Sequence, residues 1–187
     1  MIGKLFSFLN NIRFPNRSSL ISVYAIIAFM IYSWTFITFF YKLSSWLYNL
    51  TFGEISVIFA YAMAVDLFES MLFLVVILLL SLLLPTTFLK DDFKIRGTWL
   101  AISIIGMLVI YIIPSLGVQR RVTSPGLWLV TSIFLAALFT LFLSRLRIMR
   151  RFAVFITDRM MVFLIIFTPL SVISLLVLFV RFLFRVY

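Results

Sequence analysis

Apolar residues form long runs in this chain, and most charged residues are gathered into short segments between the runs. The runs cover residues 20–41, 52–84, 98–113, 125–144 and 159–184. A helix that crosses a bilayer needs about 20 mainly apolar residues, so each run is a candidate transmembrane helix. The pattern predicts an all-α integral membrane protein in which residues 19–187 form one domain, a compact bundle of about five transmembrane helices.

The first eighteen residues have a different pattern. Their apolar residues recur at helical spacing, at Ile2, Leu5, Phe6, Leu9 and Ile12. Lys4, Asn10, Asn11 and Arg13 fall on the other side of such a helix, so the segment is amphipathic and basic, which is typical of a short helix in the headgroup region. A cleaved signal peptide is the alternative, but the apolar run that follows is too long for one. We expect residues 1–18 to be retained as an interfacial helix.

Individual residues mark the start of two predicted helices and a kink in one of them. Thr51 and Glu54 have the spacing of a capping box, which places the start of a helix near Phe52. Asp158 precedes the last run, and a carboxylate there suits the positive end of a helix dipole, so we expect it to cap that helix. Pro169 lies inside the same run and predicts a kink.

Composition narrows the chemistry open to the chain. Its residues are 65% hydrophobic and 12% charged, against about a quarter charged in a soluble domain. There is no cysteine and no histidine, which excludes disulfides, thiolate catalysis and His-ligated haem or zinc. Only six carboxylates remain, and none belongs to a recognisable catalytic set. We expect no enzymatic activity, no metal site and no cofactor.

The basic residues are distributed unevenly between the two sides of the predicted bundle. The formal net charge is +10, from 16 Lys and Arg residues. Eleven of these fall on the side of the N-terminus and the second and fourth loops. The positive-inside rule then predicts a cytoplasmic N-terminus and an outer C-terminus. Topology accounts for the basic charge, so we expect no nucleic-acid partner.

Four arginines follow the fourth apolar run closely, at Arg145, Arg147, Arg150 and Arg151. Clusters of basic side chains at the cytoplasmic surface attract anionic headgroups. We therefore expect the lipid bilayer, and anionic lipids in particular, to be partners of this chain, with the four arginines as the headgroup contacts.

Asp66 and Glu69 lie inside the second run, three residues apart, so they share one side of a helix. Ionisable residues within a spanning helix are costly and are functional candidates by default. Counting back along the helix places them in the outer leaflet or at its edge. Arg181 lies near the outer end of the last helix, and we expect a salt bridge between it and one of the carboxylates. A proton- or cation-handling role and exposure to outside water are the alternatives.

Small and polar residues recur within the runs, at Tyr24, Ala28, Thr35, Thr38, Ala60, Ala64, Ser132 and Ala136. Such residues let membrane helices approach closely, which indicates packing contacts within this chain or with another. The chain has no soluble domain and no convincing internal repeat. We expect a non-catalytic accessory or scaffold subunit of a larger membrane protein complex. The alternatives are a transporter or channel component that uses Asp66 and Glu69, and a membrane-embedded lipid-handling protein.

Overall fold

A computed structural model of the protein describes residues 16–83, 93–115 and 125–184. They form five α-helices, which are α1 Arg17–Asn49, α2 Phe52–Leu83, α3 Phe93–Ser115, α4 Pro125–Arg145 and α5 Arg147–Leu183. No strand occurs in these ranges, so the predicted all-α fold is confirmed. The interfacial helix predicted for residues 1–18 falls outside the described residues, apart from residues 16–18.

Four of the described helices, α1, α2, α3 and α5, are long and apolar enough to cross a membrane. In α4 the apolar stretch is shorter and covers Val130–Arg145. A helix can enter a bilayer because all its backbone hydrogen bonds are internal, and an apolar surface of this length matches the hydrocarbon core. The four helices therefore indicate a multi-pass membrane protein.

α1 is longer than predicted, because the helix does not end where its apolar run ends. It continues past Tyr41 and through Lys42 to Asn49. Lysine is a good helix former, so a charge that ends an apolar run does not end a helix. Only Leu50 and Thr51 separate α1 from α2.

The predicted capping box at the start of α2 is confirmed. The Thr51 backbone N–H donates to Oε2 of Glu54 at 2.7 Å, and the Glu54 N–H donates to the Thr51 hydroxyl oxygen at 3.4 Å. These bonds satisfy N–H groups that have no partner inside the helix. They stabilise the tight turn that reverses the chain between α1 and α2.

α1 packs against three helices, α2, α3 and α5, whereas α4 packs against α3 and α5. Two contacts show that α1 and α2 are antiparallel. The Tyr24 hydroxyl of α1 is hydrogen bonded to the Ser70 hydroxyl of α2, and the ring centroids of Phe36 in α1 and Phe59 in α2 are 5.8 Å apart. The residue number rises along α1 while that of its partner in α2 falls. The core shared by α1, α2 and α3 includes Val23, Ile27, Ile31, Ile77, Phe93, Leu100, Ala101 and Ile105. α1 is therefore the helix around which the others are arranged.

α5 runs parallel to α1. Phe29 lies 4.9 Å from Phe163, and Tyr32 lies 4.7 Å from Phe167, as distances between ring centroids. Residue numbers rise together in these pairs, which fixes the relative direction. Three helices, α2, α3 and α4, lie between α1 and α5 in the chain, and an odd number of intervening helices that alternate in direction makes the two outer ones parallel.

α5 begins earlier than predicted. It starts at Arg147, with a single residue between it and the end of α4 at Arg145. Asp158 therefore lies inside α5, and its predicted role as the N-terminal cap is wrong. Its carboxylate accepts a hydrogen bond from Nζ of Lys94 in α3 at 2.8 Å. The basic stretch between the fourth and fifth apolar runs was predicted to be a loop. It is mostly helical, because arginine is a good helix former. Pro169 lies inside α5, and the kink expected there stays a prediction.

Gly97 lies where α1 and α3 approach each other closely. α3 begins at Phe93, before the predicted start at residue 98, so Gly97 is a helical residue. A Cβ atom at Gly97 would lie 3.0 Å from Cγ2 of Val23, which is fully buried. This is shorter than the ordinary separation of two carbon atoms in contact. The absence of a side chain at Gly97 therefore allows the two helices to meet.

Replacing Gly97 by leucine is expected to destabilise the protein by about 1–3 kcal/mol, because the side chain would overpack the α1–α3 contact. Gly106→Leu is the matched control, since it lies in the same helix and a Cβ atom there would meet nothing within 4 Å. Thermal unfolding of both variants in the same detergent measures the difference. Equal stability of the two variants would contradict this account of the α1–α3 contact.

Candidate functional site

Asp66 is the one buried carboxylate among the four that the described ranges contain. It lies near the middle of α2 and is 3% exposed. The hydroxyl of Thr35, near the middle of α1, donates to Oδ1 of Asp66 at 2.8 Å. Oδ2 is buried and has no hydrogen-bond partner. A single hydrogen bond thus holds a carboxylate in the interior of the helical bundle.

The position of Asp66 follows from the periodicity of α2. Met63, Asp66, Ser70 and Ile77 are all nearly fully buried. Their spacings of three, four and seven residues place them on one stripe of a helix. This stripe packs against α1, so the packing of its apolar members carries Asp66 into the interior. Asp66 is a polar residue on a packing surface, and it is not part of a separate polar face.

Hydroxyl groups tie α1 to the helices on either side. The Tyr32 hydroxyl and the Ser171 hydroxyl of α5 are hydrogen bonded at 2.5 Å. The Tyr24 hydroxyl and the Ser70 hydroxyl of α2 are hydrogen bonded at 3.2 Å. Both pairs join residues that are distant in sequence, and such bonds satisfy polar groups that lipid cannot satisfy. Together with Thr35 they line the surface of α1 that faces α2 and α5.

Sequence reasoning missed the contribution of α5 to this region. The buried residues of α5 are all small, namely Ala153, Thr157, Ser171 and Ser174. Most of the remaining residues in the helix are bulky and partly exposed. The sequence did contain a signal for this contact, because small and hydroxyl residues are scattered through a helix otherwise rich in leucine, valine and phenylalanine. Small residues mark close packing between helices in membranes.

Glu69 has a different environment from Asp66, although it is one turn away. It is exposed on the outer surface of α2. The side chains around it on that surface are apolar and also exposed, namely Val65 50%, Phe68 64%, Leu72 65% and Val76 37%. Glu69 is therefore an exposed carboxylate in the middle of an apolar helix surface.

The described hydrogen-bond partner of Asp66 is Thr35. Thr35 is three residues from Tyr32, which contacts Ser171 of α5. Arg181 lies ten residues beyond Ser171, or about 15 Å further along the helix axis at 1.5 Å per residue. Glu69 lies still further from the outer end of α2. The salt bridge expected between Arg181 and one of the two carboxylates stays a prediction.

The four arginines predicted to contact lipid headgroups surround the turn between α4 and α5. Arg145, Arg147, Arg150 and Arg151 are all exposed. Beneath the turn, Trp99 of α3 forms a small apolar cluster with residues of α4 and α5 that includes Leu143, Met149 and Ala153. The cluster fixes the turn against α3, so the four basic side chains are presented together at one end of the bundle.

The chemistry available to this arrangement consists of proton transfer and hydrogen bonding. The groups near Asp66 are carboxylates and hydroxyls of serine, threonine and tyrosine. Within the described ranges, no three His, Cys, Asp or Glu residues come together in a group that would hold a metal ion.

Comparisons with models of known protein families, with curated proteins and with solved structures found no match to this chain. Its function is therefore inferred from its own residues and their geometry.

Proposed function

We propose that this chain is a non-catalytic accessory subunit of a larger membrane protein complex, and that the surface of α2 around Glu69 contacts another subunit. The observation that carries the proposal is the exposure of Glu69. A carboxylate in the middle of an apolar transmembrane surface needs a polar partner, and the exposed side chains described around Glu69 on this surface are apolar.

The energetic argument concerns the surroundings of Glu69 in a bilayer. An ionised side chain at the centre of a membrane costs about 3 kcal/mol on insertion scales. The exposed apolar residues around Glu69 match lipid tails, which offer neither hydrogen bonds nor charge. Contact with another protein helix removes this cost when that helix presents a hydrogen-bond donor or a cation at the same depth.

The chemistry of the partner follows from this surface. It is a membrane helix with apolar residues that pack against Val65 and Leu72, and with an arginine, lysine or amide donor opposite Glu69. Membrane helices associate through close packing and interhelical hydrogen bonds because lipid supplies no hydrophobic drive between them. Glu69 would supply the polar part of this contact and the apolar side chains would supply the packing.

Our proposal for the topology has five spans, a cytoplasmic N-terminus and an outer C-terminus. α4 has 21 residues, which span about 30 Å at 1.5 Å per residue and match a hydrocarbon core. α1 and α5 run in the same direction, as an odd number of spans requires. The basic turn between α4 and α5 then lies on the cytoplasmic side, where anionic headgroups are available to its arginines.

Glu69→Gln is expected to lower the recovery of partner subunits about tenfold, because loss of a charged hydrogen bond at an interface costs about 1–3 kcal/mol. The measurement is quantitative mass spectrometry of the proteins that co-purify with the tagged chain after gentle solubilisation. Glu54→Gln is the matched control, since Glu54 is exposed in the same helix and glutamine also suits its capping position.

Two outcomes would contradict the proposal separately. A native chain that purifies alone, as a monomer or a homo-oligomer, overturns its assignment as a subunit. Stoichiometric partners that remain fully bound to Glu69→Gln overturn the role of Glu69 in the contact and leave the subunit assignment standing.

The topology is tested by cysteine labelling, because the native chain has no cysteine. The cysteine of Arg150→Cys is expected to react with a membrane-impermeant thiol reagent only after the membrane has been permeabilised, so that the reagent reaches the cytoplasmic side. A cysteine at position 48 in Tyr48→Cys, which lies at the opposite end of the bundle and is 89% exposed, is expected to react from outside. The reverse pattern shows the opposite orientation.

A further inference from the structure

α5 is longer than one crossing of a bilayer requires. Its 37 residues span about 55 Å, whereas a hydrocarbon core is about 30 Å thick. The sequence has no charged residue between Arg159 and Arg181, and this stretch is itself about 30 Å long at 1.5 Å per residue. The charge-free stretch therefore matches the core. The segment before it, residues 147–159, lies outside the hydrocarbon and is called the N-terminal segment of α5 below.

Contacts with α3 fix the rotation of the N-terminal segment about its helix axis. Met149, Ala153 and Thr157 are spaced by four residues and lie on one side of the helix. Met149 and Ala153 pack in the apolar cluster that contains Trp99. The Thr157 hydroxyl is hydrogen bonded to the Thr98 hydroxyl at 3.4 Å. This side is therefore held against α3, which sets the directions of the other sides.

The remaining two sides of the N-terminal segment are exposed, and one is basic while the other is apolar. Arg147 and Arg151 form the basic side. The apolar side consists of large exposed residues, namely Ile148 77%, Phe152 49% and Phe155 59%. Ile148 and Phe152 directly follow the two arginines in sequence, so the two sides are about 100° apart around the helix. A helix that lies at a membrane surface has such an offset between its headgroup-facing and its acyl-facing side.

The charge of the N-terminal segment is positive. Its sequence contains four arginines and one carboxylate, Asp158. The Asp158 carboxylate is paired with Nζ of Lys94 in α3 at 2.8 Å. The guanidinium carbon of Arg159 lies 5.5 Å from the ring centroid of Phe155, so this cation stays beside the apolar side. Positive charge next to exposed apolar side chains complements a lipid leaflet that contains anionic lipid.

We propose that the N-terminal segment of α5 is a binding site for anionic phospholipid at the membrane surface. Lipid phosphates contact Arg147 and Arg151, while acyl chains of the same leaflet cover the apolar side. Both sides support this assignment. A soluble anion would satisfy the arginines and leave Ile148, Phe152 and Phe155 in water, whereas one phospholipid carries both a phosphate and acyl chains.

This inference specifies how the basic turn between α4 and α5 contacts lipid, and it rests on the proposed crossing of the bilayer by α5. It does not depend on Glu69, on a partner subunit or on the orientation of the chain, because both leaflets of a reconstituted bilayer contain the same lipids. The purified full chain in such bilayers is therefore the material for its tests. Failure of the lipid site there leaves the subunit assignment standing.

The direction of the apolar side is tested with single cysteines, since the native chain has none. A fluorophore on the cysteine of Ile148→Cys is expected to be quenched by nitroxide-labelled acyl chains and to be protected from iodide in the aqueous phase. The same fluorophore on Arg147→Cys, one residue away on the basic side, is expected to be quenched by iodide. Quenching of the Ile148→Cys probe by iodide and not by the labelled acyl chains overturns the site, because it places the apolar side in water.

The preference for anionic lipid is measured with the same Ile148→Cys probe, in bilayers of phosphatidylglycerol and phosphatidylcholine in which only one of the two lipids carries the nitroxide. Stronger quenching by labelled phosphatidylglycerol is expected. One arginine near an anionic surface contributes about fivefold to binding, so Arg147→Gln and Arg151→Gln are each expected to lower the preference about fivefold. Lys42→Gln is the matched control, because it removes an exposed cation at the opposite end of the bundle, and it is expected to keep the full preference.

The absence of a preference when all arginines are present, or an equal loss in Lys42→Gln, overturns the anionic-lipid site. Replacing chloride by inorganic phosphate at constant ionic strength is expected to leave the preference unchanged. Loss of the preference in phosphate shows a site for a soluble anion and overturns the assignment to lipid.

Discussion

The close packing of α1 against α2, α3 and α5 is the constraint on which the rest of the structure depends. Within a membrane there is no hydrophobic drive between helices, so their association rests on van der Waals contact and interhelical hydrogen bonds. Both need close approach. Ala25 and Ala28 of α1 are buried, and Gly97 of α3 leaves room for Val23. A bulky residue at any of these positions would separate the helices that hold Thr35 next to Asp66.

Polar groups in the interior follow from this packing and also stabilise it. Tyr32 and Ser171 satisfy each other across α1 and α5, as Tyr24 and Ser70 do across α1 and α2. Asp66 differs from these pairs, because Thr35 engages only one of its two oxygens. The hydroxyl pairs are fully explained by their role in helix association. The second oxygen of Asp66 has no such partner among the described residues.

Asp66 and Glu69 show how a small rotation around a helix separates two chemically similar groups. Residues three apart are neighbours, yet they are offset by about 60° around the axis at 100° per residue. The contact with α1 covers Asp66 and ends before Glu69, which stays exposed. A buried carboxylate and a surface carboxylate result. The second is the group on which the proposed contact with a partner subunit rests.

The sequence by itself determined that the chain is helical, that most of its helices suit a membrane, and where the α1–α2 turn lies, because apolar run length and the capping box of Thr51 and Glu54 are local properties. It also singled out the chemistry of Asp66. Only the tertiary structure decided that Thr35 holds Asp66, that Asp158 pairs with Lys94 inside a longer α5, and that Ser171 reaches Tyr32. These contacts join residues on different helices, and periodicity along one helix does not specify which neighbour covers it or at what height.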